Sequence, residues 1–389
     1  MRSGKAGAPR LRDTYDAVVV GAGVFGAWTA YHLRKSGRSV ALLDQYGPAN
    51  SRASSGDESR ILRMGYGAEE IYTRWALHSR ELWIELFDAV NQPELFQQTG
   101  ALWTPLPSDR RAVETRTTFK KCGVAFEDLD AAGLQARFPQ FRFTSERVGI
   151  FEPKAGVLVA RKAVTQVVAE AVRNGVEYFR QAASAPEGGG IKTSSGGGIQ
   201  AGLFVYACGP WLPKIFPELL AGRIRATRQE VFYFGTPPGD RRFSPPQMPA
   251  WIDFGDERCP YVLPEVENRG FKLAFDRHGP EFDPDTGDRV ATGVDAARAF
   301  LGERFPALAE APLLESRVCQ YENTWNGDFL IDRHPDFDHV WLAGGGSGHG
   351  FKHGPAVGEY LTKLIDGKAA SEPKFSLAGK TLARSRSVY

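Results

Sequence analysis

Residues 15–26 read "YDAVVVGAGVFG". The β-branched run at 15–20 has the pattern of a strand buried on both faces, as in a parallel sheet. It meets a glycine-rich turn, after which 24–37, "VFGAWTAYHLRKSG", carries helical spacing and closes on Gly37. Residues 39–44, "SVALLD", form the next strand, so the three segments make a βαβ unit. The turn matches GxGxxG at Gly21, Gly23 and Gly26. These glycines permit the tight turn, let backbone approach a pyrophosphate, and let the helix lie against the strand, with the phosphates at the helix N-terminus. Asp44, 23 residues after Gly21, ends the second strand, where a carboxylate accepts from a ribose hydroxyl. A bare GxGxxG can be a chance turn. Strand, helix, strand and acid in register point to dinucleotide binding, and NAD and FAD both fit.

The chain has 389 residues, 42% hydrophobic, which is long for a single core and predicts two domains. Lys and Arg number 48 against 46 Asp and Glu, a balance that argues against nucleic acid as a partner. The four cysteines, at 122, 208, 259 and 319, have neither the density of a secreted scaffold nor zinc spacing. Reduced thiols, a cytoplasmic location and no metal are therefore expected. The basic first twelve residues lack an apolar region behind them and read as a tail rather than a signal peptide. No run approaches the ~18 apolar residues of a membrane span, so no membrane association is expected.

Further along, 68–90 and 162–175 read as amphipathic helices. The "GGG" stretches at 188–190 and 196–198 read as exposed turns, and 202–209, "GLFVYACG", as a buried strand. Residues 226–320 hold short alternating segments with many prolines and aromatics, the signature of a mostly antiparallel sheet. A buried strand at 339–346 and a closing helix at 355–367 then return to the character of the N-terminal unit. The first domain is thus expected to be discontinuous.

Three more stretches bear on chemistry. In "ASSGDESRILRMGYG" (53–67), Arg60 and Arg63 stand three apart, a spacing that can bring both to one face and one anion. Read alone, a solvated pair is the plainer account. The loop "GGGSGHGFKHG" (344–354) lies between strand and helix, where backbone can approach a ligand closely, and Lys352 adds positive charge to the helix N-terminus. Together they would stabilise negative charge at the pyrimidine end of a reduced flavin. His349 reads as a structural donor. In "SRVCQYENT" (316–324), Cys319 sits on an alternating strand and, read alone, is a small buried hydrophobe.

These motifs, with "EPKAGVL" (152–158) and "TRQEVFYF" (227–234), occur in an order that resembles the monomeric sarcosine oxidase family. That family comprises FAD-dependent oxidases of N-methyl and cyclic secondary amino acids within the D-amino-acid-oxidase-like group. The resemblance spans about residues 14–385. It implies an α/β plus α+β architecture, with a discontinuous FAD-binding Rossmann-like domain of glutathione-reductase type at 14–97, 156–225 and 326–385. A mostly antiparallel substrate domain is implied at 98–155 and 226–325, with 1–13 a tail.

The resemblance also implies site roles. Cys319 corresponds to the cysteine joined to the flavin 8α-methyl group as a thioether, and neighbouring Lys and Arg residues would favour its thiolate. Arg63 and Lys352 correspond to the pair that holds the substrate carboxylate, and Arg60 to the arginine beside the flavin. Lys272, in "GFKLAF", corresponds to the lysine linked to oxygen activation, and Tyr261, in "PYVLP", to an active-site tyrosine. FAD is implied to lie along Gly21, Gly23, Val24, Phe25, Gly26 and Asp44, then Ser54, Ser55 and Arg60. Gly209, Trp211 and Cys319 follow, then Gly346, Ser347, Gly348, His349, Gly350, Phe351 and Lys352, with Gly156 also along the cofactor. A monomer using O₂ as acceptor is implied.

The chain departs from the family pattern in places. Ser54-Ser55 stand where relatives carry a histidine, and Glu58 is an extra residue before Ser59-Arg60. Asp276 replaces a histidine after the flavin lysine, with His278 close by; that acid can pair with Lys272 or meet a cationic substrate tail. Trp325, directly after the cysteine motif, is positioned in sequence to roof the pocket. The expected activity is oxidation of the C–N bond of a carboxylated secondary amine by O₂, giving an imine, then an aldehyde or keto product, and H₂O₂. The alternatives are an FAD dehydrogenase with another electron acceptor, a fructosyl-amino-acid oxidase, a nicotinamide-linked dehydrogenase, and a non-enzymatic flavoprotein sensor.

Overall fold

The computed structural model describes residues 12–144, 146–253 and 255–380. The N-terminal tail up to residue 11, and the last residues of the expected third FAD segment, lie outside them.

Strand β1 (Thr14–Val20) sits inside a seven-stranded sheet. It pairs in parallel with β2 (Val40–Leu43) on one side and with Gly198–Tyr206 on the other. Val340–Gly344 adds in parallel beyond Gly198–Tyr206, and Glu177–Phe179 beyond β2. The interior of β1 is buried on both faces, which is why its sequence is continuous rather than alternating. Helix α1 (Val24–Lys35) follows the glycine turn and stops one residue short of the expected Gly37 cap, at Ser36; Gly37 then takes φ +98°.

The closing helix, Gly354–Ile365, lies across α1 with no room between them. A Cβ on Gly354 would meet Val24 Cγ2 at 2.5 Å, and one on Gly358 would meet the Trp28 carbonyl carbon at 2.6 Å. Both glycines are therefore needed for the crossing distance. The helices at 68–90 and 162–175 are formed as Glu70–Ala89 and Ala160–Arg173.

The second sheet has eight strands. Its long pair is Ile224–Phe234 with the cysteine strand, Leu313–Thr324, antiparallel. Phe271–Phe275, the lysine strand, and Pro260–Leu263 follow antiparallel, then Ala250–Ile252. One joint, between Ala250–Ile252 and Ala101–Trp103, is parallel. The arginine strand, Ser59–Leu62, belongs to a small third sheet with Gly156–Val159 and Phe96–Gln97. Among the described residues no helix is long and apolar enough to cross a membrane.

Candidate active site

Two cavities meet between the large sheets. The longer one runs past Gly21, Gly23, Val24 and Phe25 to Asp44 at the C-terminal ends of β1 and β2. Ligand crevices of open α/β sheets lie at this edge, where the strand order reverses. Ser54, Ser55, Gly209 and Trp211 line it further on, with Gly346, Ser347 and Gly350 opposite. The smaller cavity holds Arg63, Tyr261, Lys272, Cys319, His349 and Lys352. Arg60, Tyr321, Gly348 and Phe351 line both, so the two cavities adjoin at these residues.

The wall of the longer cavity is built by backbone crowding. A Cβ on Gly21, whose φ is +103°, would lie 2.3 Å from the Ala207 carbonyl oxygen. Gly26 is not in the lining. A Cβ there would fall 1.8 Å from the Gly21 oxygen, so this glycine serves the contact between helix and turn. Asp44 is oriented by backbone donors, with Ala22 N at 2.8 Å on one oxygen and Tyr46 N and Gly47 N at 2.9 and 2.7 Å on the other. Ser55 Oγ accepts from Val24 N at 3.1 Å, at the start of α1. Ser54 Oγ and Glu322 Oε2 are buried, lack a protein partner, and belong to residues of the lining. Buried polar atoms rarely stay unpaired, and a flavin dinucleotide with its ribityl hydroxyls and diphosphate offers partners for them. A glycine turn without side chains, a helix N-terminus, a ribose-competent acid and unpaired oxygens fit FAD.

In the smaller cavity the central group is Asp57, which is 3% exposed. Its carboxylate accepts from Lys272 Nζ, Arg60 Nη1 and Tyr233 Oη. Burial opposes its ionisation, yet the charges of Lys272 and Arg60 hold it well below the usual carboxylate range. Lys272 also donates to the Ser59 carbonyl at 3.0 Å. Burial pushes the Lys272 ammonium down to about 8, Asp57 opposes that, and Arg60 adds to it. Arg60 donates to the Ser54 carbonyl at 2.8 Å and points a second N–H contact at Cys319 Sγ, 3.7 Å away.

Arg60 and Arg63 reach the same cavity, but not as neighbours on a helix. Arg60 lies on the arginine strand and Arg63 just past its end, so the guanidiniums take different paths. Both are largely buried, and the solvated-pair reading is overturned. The Arg63 guanidinium lies over the Tyr66 and Trp103 rings, at 4.3 and 4.8 Å from their centroids. Lys352 Nζ donates to Tyr66 Oη at 2.8 Å and to the His349 carbonyl at 3.0 Å. Tyr66 thus ties the two cations together. His353 Nε2 lies 2.7 Å from the same Tyr66 oxygen, and burial, helped by Lys352, keeps that imidazole neutral. His349 is held through Nε2 by the Gly327 carbonyl at 2.9 Å, as a structural residue would be.

Several expectations are corrected by the geometry. Asp276 does not pair with Lys272: it accepts from Tyr321 Oη at 2.9 Å, while Lys272 takes Asp57. His278 is exposed and stays close by, edge-on to the Tyr321 ring at 6.2 Å. Trp325 does not roof the pocket. It is 40% exposed, donates to the Gly222 carbonyl, and carries Arg225 over its ring at 5.0 Å. Gly156 lines neither cavity; its missing side chain makes room for the Gln97 carbonyl, 2.1 Å from a built Cβ. The inserted Glu58 turns outward to Arg317, at 2.7 Å, and leaves Asp57 and Arg60 facing inward. Asp57, Tyr66, Tyr321 and Glu322 were not singled out from sequence, although each lies within a motif that was.

A family model described as FAD dependent oxidoreductase (DAO) matches residues 16–364. The peroxisomal sarcosine oxidase of Homo sapiens is 31% identical over 96% of this chain and 97% of that protein. The monomeric sarcosine oxidase of Bacillus sp. (strain B-0618) is 30% identical over 90% of this chain and 92% of that protein. Among solved structures, L-proline dehydrogenase from P. horikoshii superposes with a TM-score of 0.82 over 94% of this chain and 98% of that one. At 20% identity that likeness speaks to the fold.

Proposed function

The chain belongs to the DAO family of FAD dependent oxidoreductases, and from that premise we propose that it oxidises the C–N bond of a carboxylated secondary amine. The substrate is an N-methyl or cyclic amino acid of the sarcosine kind, and O₂ is the electron acceptor. The observation that carries this reading is the convergence of Arg63, Lys352 and Lys272 in a small cavity that shares four lining residues with the dinucleotide cavity.

FAD supplies a two-electron acceptor for hydride. Gly21, Gly23 and the start of α1 would hold its diphosphate, Asp44 its adenosine ribose, and Arg60, Gly348 and Phe351 its ring end. Cys319, in the smaller cavity 3.7 Å from an Arg60 nitrogen, is the proposed point of a thioether to the flavin 8α-methyl group. Segments 14–97, 156–225 and 326–385 would serve the cofactor, and 98–155 and 226–325 the substrate.

Arg63 and Lys352 bind the substrate carboxylate. Charge-assisted hydrogen bonds of this kind are worth ~1.5–3 kcal/mol each. Fixing the carboxylate decides which carbon next to nitrogen faces the flavin. A neutral secondary amine needs no protein base: its lone pair moves toward carbon as hydride departs, and water hydrolyses the resulting imine. Tyr261, 5.8 Å from Lys272 Nζ by its ring, closes the wall beside the reacting carbon. The Lys272 ammonium, fixed by Asp57, stabilises the negative charge that O₂ acquires on accepting electrons. That placement favours an oxidase over a dehydrogenase. A monomer in the cytoplasm completes the proposal; the human relative is peroxisomal by name.

The test is turnover of sarcosine, N-methyl, cyclic and fructosyl amino acids in air, with H₂O₂ measured directly. Stoichiometric peroxide is expected. Rapid dye reduction without peroxide would replace the oxidase reading with the dehydrogenase.

A further inference from the structure

Glu322 stands three residues beyond Cys319 on the cysteine strand, roughly 10 Å along it at ordinary strand rise. Its side chain is 7% exposed and lines the longer cavity. One oxygen, Oε1, accepts from Gly346 N at 3.3 Å. The other, Oε2, is buried with no protein partner. It lies in a gap flanked by Gly209 and Gly344, where built Cβ atoms would stand 3.9 and 3.3 Å from it. Side chains at those two positions would crowd this oxygen.

We propose that Glu322 is a cofactor-holding residue, its Oε2 carrying a proton and donating it in a hydrogen bond to an oxygen of the ribityl–diphosphate stretch of FAD. The position supports that stretch. The fingerprint glycines, Asp44, Arg60, Phe351 and Glu322 line the same cavity, and Glu322 Oε1 takes the amide of Gly346, which with Phe25 of α1 crowds a built Cβ on Gly350. An ionised carboxylate beside a diphosphate would repel it, whereas a carboxylic acid donates to it.

The surroundings favour the acid. Burial pushes Glu322 up to about 7 against the opposing Gly346 and Gly345 amides. Cys208 faces it, pushed far up by burial and by Asp44 and Glu322, while Tyr321, next to it on the strand, is raised well above the usual range by burial and Asp276. Asp44 is held by backbone amides, His349 turns to the Gly327 carbonyl, and Arg60 is committed to Asp57. FAD would displace water from Glu322 and raise its proton affinity further. A group whose pKa is higher in the complex strengthens binding at low pH and loses that contribution as pH rises through its free value.

The inference rests on FAD filling the cavity, and one experiment separates the two. The full chain with Cys319→Ser, stripped of flavin, is titrated with FAD and followed by quenching of flavin fluorescence, alone and combined with Glu322→Gln or Glu322→Ala. With Glu322 present, Kd should rise toward about tenfold per pH unit above about pH 7. Glu322→Gln, which keeps a donor and cannot ionise, should bind with a Kd constant within about twofold from about pH 6 to about pH 8.5. Glu322→Ala should bind about five- to tenfold more weakly at about pH 6. FAD binding with a flat profile in the presence of Glu322, or the same slope in Glu322→Gln, overturns the role of Glu322 alone. Failure of every form to bind FAD overturns the cavity assignment as well. Glu322→Gln preserves shape, so the comparison stands even where Glu322→Ala fails to fold.

Discussion

Lys272 and Asp57, 215 residues apart in sequence, form a buried ion pair in the cavity that also holds Arg63 and Lys352. Arg60 and Tyr233 complete the shell of the same carboxylate. One acid therefore positions the cation proposed to face oxygen and the cation beside the thiol.

Asp57→Asn leaves two buried cations without a counter-charge. Breaking a buried pair in this way costs about 3–5 kcal/mol, and urea unfolding should show a loss of that order. Because the Asp57 carboxyl is depressed in the folded chain, its contribution is fully present above the unfolded value of about 4 and disappears only as pH falls through the folded value. The deficit should therefore be full at about pH 5 and shrink toward about pH 8, where the orphaned Lys272 sheds its proton. A deficit absent at about pH 5 would remove Asp57 from this role.

Lys272→Met should separate the two half-reactions. Reoxidation by O₂ is expected to slow by about a hundredfold, the scale for removing one preorganised charge, while anaerobic reduction changes far less. In the unaltered enzyme the ammonium is lost as pH rises through about 8, so reoxidation should slow on the alkaline side. Stopped-flow mixing of reduced enzyme with oxygenated buffer measures both, and equal slowing of reduction and reoxidation would contradict the oxygen role.

Lys352→Met should raise KM for carboxylated amines about ten- to hundredfold, from the loss of one charge-assisted hydrogen bond. Bound flavin should be retained. Arg63→Met should act in the same direction and also loosen Tyr66 and Trp103, which its guanidinium covers. Unchanged KM in the Lys352 variant, from steady-state rates, would exclude it from carboxylate binding.

Cys319→Ala should release the flavin. Acid-precipitated unaltered protein is expected to retain yellow fluorescence on the chain, and the variant to lose it to the supernatant. Flavin that washes out of the unaltered protein would return Cys319 to a packing role.

The nucleotide unit was legible because its determinants are local: an apolar run, three glycines and an acid within residues 15–44. Motif order placed Cys319, Lys272, Arg63 and Lys352, and these residues do line one cavity. What could not be read depended on partners distant in sequence. Asp57 looks like an ordinary turn acid until Lys272 and Tyr233 arrive from another sheet. Asp276 takes the Tyr321 hydroxyl while Lys272 takes Asp57, a choice of partners that spacing along the chain does not show. Trp325 follows the last residue of the cysteine strand, beyond its alternation, and is drawn outward by Gly222 and Arg225. The spacing of Arg60 and Arg63 was compatible with a helix, but these residues lie on and just past a strand.

Oxidation of a carboxylated secondary amine is tested most directly by mixing the yellow protein with N-methyl, cyclic and fructosyl amino acids in the absence of oxygen. At least one N-methyl or cyclic amino acid should bleach the flavin absorbance within the turnover time, and its decarboxylated analogue should not. A flavin that keeps its colour with every member of the panel, while still being bleached by dithionite, would contradict the proposed activity.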